Sequence, residues 1–374
     1  MKQIRKLVLT TGIFPPDIGG PAFYTRELAG EFSRKGIKVE VVTYGKKILK
    51  PKEYKISGVS RLWPAGLRQV IYFWKVLARA KDSDAILAFD SLGAGLPAVL
   101  AGKILGKKVV MRLGGDFLWE KYIESGMEKV TMAEFYSKGL QQTYPILNRL
   151  IIFTLKRADF IAFTTNFQRD LFIKYYGLNF NKTPVISNIF EKKERGVAAY
   201  QDNPKIILWT GRFIKLKNLD FLLKVFNRLI KHDNNLVLEL IGDGPEESHL
   251  IDLIREMGLS RKVTISKNLD EKFLFNQIQR SYFCILPSLS EVSPNFALRC
   301  LGFNKPIVLT QETGIKDQFP GLLYADPLKE DSFFIAALRL LDRNSYDNYQ
   351  KFIANIRHEK TWQDLAEEYL QLLK

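Results

Sequence analysis

Short apolar, β-branched runs alternate with longer stretches of helical period along almost the whole chain. KLVLTT reads as a strand, GIFPPDIGGPA as a loop and FYTRELAGEFSRK as a helix closed by Gly36, followed by the strand KVEVVTY. AILAF, KVVMRLG and ADFIAFTT are further strand candidates, with the helices LPAVLAGKILG and NFQRDLFIKYYG, and TPVISN closes this half. The pattern restarts after EKKERGVAAYQDNP, a polar stretch read as a linker. There KIILWTG, LVLELIGDG, KVTIS, YFCILPS and PIVLT read as strands, with LDFLLKVFNRLIK, ESHLIDLIREMGL and KFLFNQIQRS as helices. TWQDLAEEYLQLLK is a last helical stretch. Strands that are apolar throughout, each followed by a helix, predict parallel sheets covered by helices on both faces. The expected architecture is α/β: two doubly wound, Rossmann-like domains over 1–190 and 200–358, with a closing helix over 361–374 that returns to the first. Ligands bind outside the strand carboxyl ends of such sheets, so the expected site is a cleft faced by both carboxyl edges.

Composition narrows the class. The 374 residues are 46% apolar, enough for two cores. The two cysteines, Cys284 and Cys300, sit in apolar surroundings, which fits a reducing cytoplasm and not a disulfide scaffold. MKQIRKLVLTTGIFPP has too short an apolar run for a signal peptide. The longest apolar candidate, YPILNRLIIFTLKRADFIAF, is cut by Arg149, Lys156 and Arg157 and does not read as a membrane span. Charge is uneven: residues 1–190 hold 30 Lys+Arg against 15 Asp+Glu, whereas residues 191–374 hold 26 against 25. A basic half joined to a neutral half points to an anionic partner for the first. Anionic membrane, acidic glycan and nucleic acid all qualify, although no nucleic-acid module is present.

Three loops of the second half carry candidate chemistry. WTGRFIKLKNLDFLL puts Gly211 and Arg212 at a strand end and Lys217 five residues later, before a helix. Two cations beside helix N–H groups suit a diphosphate. LIGDGPEESHL puts Gly242 and Gly244 after the next strand, where a ligand can approach bare backbone. LPSLSEVSPNFALRC places Glu291 before a helix whose first turn is Ser293-Pro294-Asn295-Phe296. Its unpaired N–H groups suit a phosphate or a sugar hydroxyl, and the carboxylate can accept from hydroxyls.

Taken in order, these loops resemble the donor half of the retaining glycosyltransferases of family 4, which have the two-domain GT-B fold. The resemblance implies that Arg212 and Lys217 hold the donor diphosphate. It gives Glu291, Ser293, Asn295 and Phe296 the sugar and phosphates, and Gly242 and Gly244 the base side. The family pattern E-x7-E wants a second Glu on the ribose, but Arg299 stands there. Arginine has donors and no acceptor, so it cannot take the same hydroxyl protons. Two placements are open for it: pairing with Glu291 or another acid, or donating to ribose oxygens or an acceptor phosphate. The second is the expectation.

The first half fits the same family. Gly19 and Gly20 open a helix in the manner of its first loop, with amides that can face the donor. VVMRLGGDFLWEKY resembles a subgroup with Gly-Asp-x-x-Trp-Glu where other members have a histidine. Asp116 is the candidate for a group near the reacting sugar and Arg112 for a phosphate or acceptor contact. A simple helix cap is the competing reading of Asp116. The three histidines all lie in the second half, so neither a metal nor a cofactor is expected beyond the nucleotide diphosphate-sugar itself. The resemblance implies transfer of a hexose to a hydroxyl with retention, in glycan or glycolipid assembly. The expected setting is cytoplasmic, peripheral on the inner face of a membrane, with a glycan or lipid-linked acceptor. The alternatives are a catalytically disabled binding protein of the same fold and a basic nucleic-acid-binding protein.

Overall fold

A computed structural model describes residues 3–17, 19–45, 51–64, 66–193, 202–267, 270–357 and 359–374. Most of the linker read in EKKERGVAAYQDNP and one of the three histidines, His358, lie outside them. The chain forms two compact units. One comprises Met1–Trp119, Tyr136–Ile189 and Lys360–Lys374; the other comprises Glu120–Phe135 and Phe190–Glu359.

The first unit is built on six parallel strands: β1 (Lys6–Thr11), β2 (Lys38–Tyr44), β3 (Lys55–Val59), β4 (Ala85–Ala88), β5 (Lys108–Leu113) and β6 (Phe160–Phe163). Their order is β3-β2-β1-β4-β5-β6. The helices are α1 (Gly20–Arg34), α2 (Leu67–Ala80), α3 (Gly95–Leu105), α4 (Phe117–Glu124), α5 (Met132–Ser137), α6 (Pro145–Arg157) and α7 (Asn166–Tyr176). α4 begins, and α5 ends, in this unit; the stretch between belongs to the other. β1 to β2 runs outward and β3 to β4 runs back past β1, so right-handed crossovers put α1 on one face of the sheet and α2 and α3 on the other. α3 packs on both α2 and α6.

The terminal helix (Trp362–Leu373) covers the α1 face. Thr361 caps it, with Asp364 reaching back to the Thr361 N–H at 2.9 Å. Trp362 meets the rings of Tyr24 and Phe23 at 5.1 and 5.5 Å. Its buried residues Leu365, Ala366, Tyr369, Leu370 and Leu373 join Leu7, Leu9, Leu28 and Phe32 in one core.

The second unit repeats the plan with β7 (Lys205–Arg212), β8 (Leu236–Asp243), β9 (Val263–Ser266), β10 (Phe283–Leu286), β11 (Ile307–Thr310) and β12 (Leu323–Ala325). All pairs are parallel, in the order β12-β11-β10-β7-β8-β9. α8 (Leu219–Leu229), α9 (Glu247–Glu256), α10 (Glu271–Arg280), α11 (Asn295–Gly302), α12 (Glu330–Arg339) and α13 (Arg343–Ala354) cover it. Trp209, stacked on Phe213 at 5.6 Å, is among its largest fully buried side chains.

Both sheets are therefore doubly wound α/β, as the alternation predicts. β3 and β12 are additions that the apolar pattern did not mark. TPVISN contributes only a bridge between Val185 and Phe163. Because the terminal helix supplies core to the first unit, Leu365→Ala is expected to cost about 2–5 kcal/mol. Denaturant unfolding of the full chain measures it; a loss below about 0.5 kcal/mol would mean the helix is dispensable.

Candidate functional site

The carboxyl ends of β7, β10 and β11 lie side by side, and backbone bonds continue past the strands. Leu289 N donates to Leu216 O at 3.0 Å, and Glu291 N to Glu312 O at 2.8 Å. These bonds tie the loop after β10 to the loops on either side. Lys217 ends a 3-10 turn (Lys215–Lys217) directly after β7, and its Nζ lies 2.5 Å from Glu291 Oε1. Ser288 Oγ donates to the same oxygen at 2.7 Å. Arg212, at the tip of β7, is exposed and has no ion-pair partner among the described residues.

Glu291 leads into α11, whose cap residue, Pro294, offers the first turn no side-chain acceptor. Ser293, Asn295 and Phe296 stand partly exposed at that amino end. A cation pair, a carboxylate and a helix amino terminus thus share one sheet edge, an arrangement suited to an anion bearing hydroxyl groups.

The glycines have a second reason to be there. Gly211 and Gly242 face each other in the β7–β8 register, and a Cβ on Gly242 would lie 1.8 Å from the Gly211 carbonyl oxygen. A Cβ on Gly244 would lie 2.4 Å from Phe213 O, and Phe213 N donates to Asp243 O at 2.6 Å. Gly242 and Gly244 keep two chain segments in close approach, whatever ligand is present.

Arg299 pairs with an acid other than Glu291. Its Nη2 lies 3.3 Å from Glu271 Oε1 at the start of α10, with its guanidinium 5.9 Å from the Phe275 ring. This is the acid-paired placement, and the acid is Glu271. The side chain keeps 32% of its surface exposed beside that carboxylate.

In the first unit, Gly19 and Gly20 stand at the start of α1, and a Cβ on Gly19 would lie 2.7 Å from Ile13 Cδ1. Arg112 and Asp116 are both buried. Arg112 is 3% exposed: Nη2 donates to Asn188 Oδ1 at 2.6 Å, and the guanidinium lies 4.1 Å over the Tyr24 ring. It also meets Tyr369 of the terminal helix. The charge is turned inward to join three elements, not out to a phosphate. Asp116 is likewise 3% exposed. It accepts from Trp119 N at 3.0 Å and from the Tyr136 hydroxyl, which touches the Tyr176 hydroxyl at 3.0 Å. Burial pushes its carboxyl up, opposed by the donors from Trp119, Tyr136 and Leu118. These are the surroundings of an interior helix cap.

Sequence reasoning missed two carboxylates in the second unit. Glu124 accepts from Lys215 N at 3.2 Å and Leu216 N at 3.0 Å, so it fixes the turn that carries Lys217. Glu312 is held above the usual carboxylate range by burial, then by Glu134 and Asp326, with the Thr131 hydroxyl acting in the opposite sense. An acid one or two residues past a strand end is the only signal for Glu312, and nothing in the sequence marks Glu124.

Two outcomes are expected. Asp116→Ala should lose about 0.5–2 kcal/mol of stability through the lost cap. Asp116→Asn, which keeps an acceptor, should keep donor turnover within about tenfold; a far larger loss would return the carboxylate to the chemistry. For Glu312, the raised folded pKa means that stability is lost as pH rises from the ordinary glutamate range through that pKa. Glu312→Gln should therefore stabilise the protein at neutral pH, with the gain fading in acid; denaturant midpoints across pH test this.

The chain matches two family models: "Glycosyltransferase Family 4" over residues 18–192 and "Glycosyl transferases group 1" over residues 204–343. An uncharacterised glycosyltransferase of Methanocaldococcus jannaschii is 21% identical, with 99% of this chain and 98% of that one covered. A glycogen synthase of Clostridium botulinum is 25% identical over 52% of this chain and 44% of its own. Among solved structures, sucrose-phosphate synthase from Thermosynechococcus elongatus superimposes with a TM-score of 0.75 at 15% identity, covering 98% of each chain. Anabaena HepE in complex with UDP-glucose does so with 0.74 at 16% identity, covering 98% of this chain and 99% of its own. The fold is that of the GT-B enzymes, and the chain belongs to the group 1 glycosyltransferases of family 4, enzymes that transfer a sugar from a nucleotide-sugar.

Proposed function

We propose that the protein moves a hexose from a nucleoside diphosphate-hexose to a hydroxyl of a glycan or lipid-linked acceptor, with retention and without a metal. The observation that carries this reading is the Lys217–Glu291 pair, 2.5 Å apart, beside the exposed Arg212 and the start of α11. As the glycosidic bond breaks, negative charge grows on the departing diphosphate. Arg212 and Lys217 then interact more strongly with it than with the bound donor, which is what lowers a barrier. Glu291 holds the ammonium in place beforehand and accepts from sugar hydroxyls, with Ser293, Asn295 and Phe296 around the same helix end. Anabaena HepE holds UDP-glucose, which makes UDP-sugars the first donors to try. The excess of basic residues before residue 190 favours work at an anionic membrane surface, beside the acceptor.

Among the described residues, no helix is long and apolar enough to cross a membrane. The attachment we propose is peripheral.

Each charge-assisted contact to the diphosphate is worth about 1.5–3 kcal/mol. Arg212→Ala and Lys217→Ala should each lower kcat/KM by roughly tenfold to a hundredfold with the fold intact. Transfer or hydrolysis of UDP-hexoses by the purified variants measures this. Full activity in the double variant would sink the assignment. Nucleotide binding by the native protein without any turnover would favour the disabled binding protein.

A further inference from the structure

The helices on the two faces of the first sheet differ in kind. α2, α3 and α6, the layer opposite α1, carry three, one and three basic residues, and none of them has an Asp or a Glu. On the other face, α1 has two acids and the terminal helix has three. The same basic layer exposes large apolar side chains at helical spacing. Leu67, Val70 and Trp74 point outward along α2, Leu100 and Ile104 along α3, and Ile146 at the start of α6. Trp74 is 61%, Ile104 64% and Ile146 72% exposed. α2 buries Tyr72, Val76 and Ala80 on its inner side, so it is apolar on both faces, whereas a helix lying on a soluble core keeps its outer face polar.

Basic residues interleave with this apolar surface. On α3 the exposed ridge runs Leu100, Lys103, Ile104, and on α6 it runs Ile146, Arg149, Leu150. At the ends of α3 and α6, Lys103, Lys107, Lys108 and Arg157 line a cleft of ≈ 400 Å³. Asp159, the acid in that lining, already accepts from Val109 N at 2.8 Å.

We propose that the outer face of α2, α3 and α6 is the surface by which this protein docks on an anionic phospholipid bilayer. Trp74, Leu67, Val70 and Ile104 enter the acyl boundary, while Lys103, Arg149 and Arg157 meet lipid phosphates. This rests on the membrane setting proposed above and names the face that provides it. Charge decides the occupant. A layer with basic and apolar residues and no acid complements a surface that is anionic outside and apolar beneath. A second copy would bring like charge against like charge, opposing self-association through the same face.

The test is co-flotation of the full chain with phosphatidylcholine vesicles with and without phosphatidylglycerol, at low and high salt. Trp74→Ser with Ile104→Ser removes apolar contact, and Lys103→Glu with Arg149→Glu reverses charge; all four positions are exposed. Native protein should float with the anionic vesicles at low salt and lose most of that binding at high salt or on neutral lipid. Each variant pair should bind about tenfold more weakly or worse, with hydrolysis of the nucleotide-sugar unchanged. Native-level flotation of both variants would overturn this face and leave the membrane setting standing. No flotation of the native protein at low salt would overturn both and leave the transferase reading untouched. A native dimer in sedimentation that Trp74→Ser with Ile104→Ser dissociates would make the face an interface between copies, which also overturns the proposal.

Discussion

The candidate site depends on backbone hydrogen bonds that continue laterally after the strands of the second sheet have ended. Parallel strands deliver every following loop to one edge, but an edge alone does not set loop spacing. The bonds from Leu289 to Leu216 and from Glu291 to Glu312 do that. They hold the turn with Lys217 against the loop with Glu291, and that loop against the one after β11. A buried backbone group left unpaired costs roughly as much as a lost hydrogen bond, so these loops cannot drift apart cheaply. The short contact between Lys217 and Glu291 is the side-chain result of that backbone arrangement.

Much of this was legible because it rests on local sequence. The central strands are continuous apolar runs, and Arg212, Lys217 and Glu291 each follow one at a loop that opens a helix. What escaped did so for physical reasons. β12 is three residues long and sits at a sheet edge, so it has no alternating or continuous apolar run to mark it. Burial of charge is harder still to foresee. Arg112 and Asp116 have the composition of surface or site residues, and only the packed structure shows Asn188, Tyr24 and Tyr136 closing around them. Arg299 belongs to the same class: its partner, Glu271, is 28 residues away on another helix.

The glycines show how one residue can satisfy two demands. Gly242 answers to a family motif that places it near a nucleotide, and also to the carbonyl of Gly211 on the adjacent strand. The second demand holds in the absence of any ligand. A glycine motif at a strand end is therefore weaker evidence for binding than the charged residues beside it.

Glu124 has a consequence for how such a site can change over generations. Its carboxylate already takes the backbone N–H groups of Lys215 and Leu216, the amides that would otherwise greet an incoming anion at that turn. Anion affinity at this place is thereby left to the side chains of Lys217 and Arg212. Backbone donors are common to every sequence that adopts a fold, whereas side chains are open to single-codon replacement. Anion affinity at this turn can thus change by substitutions at those two positions, with the scaffold that holds them unaltered.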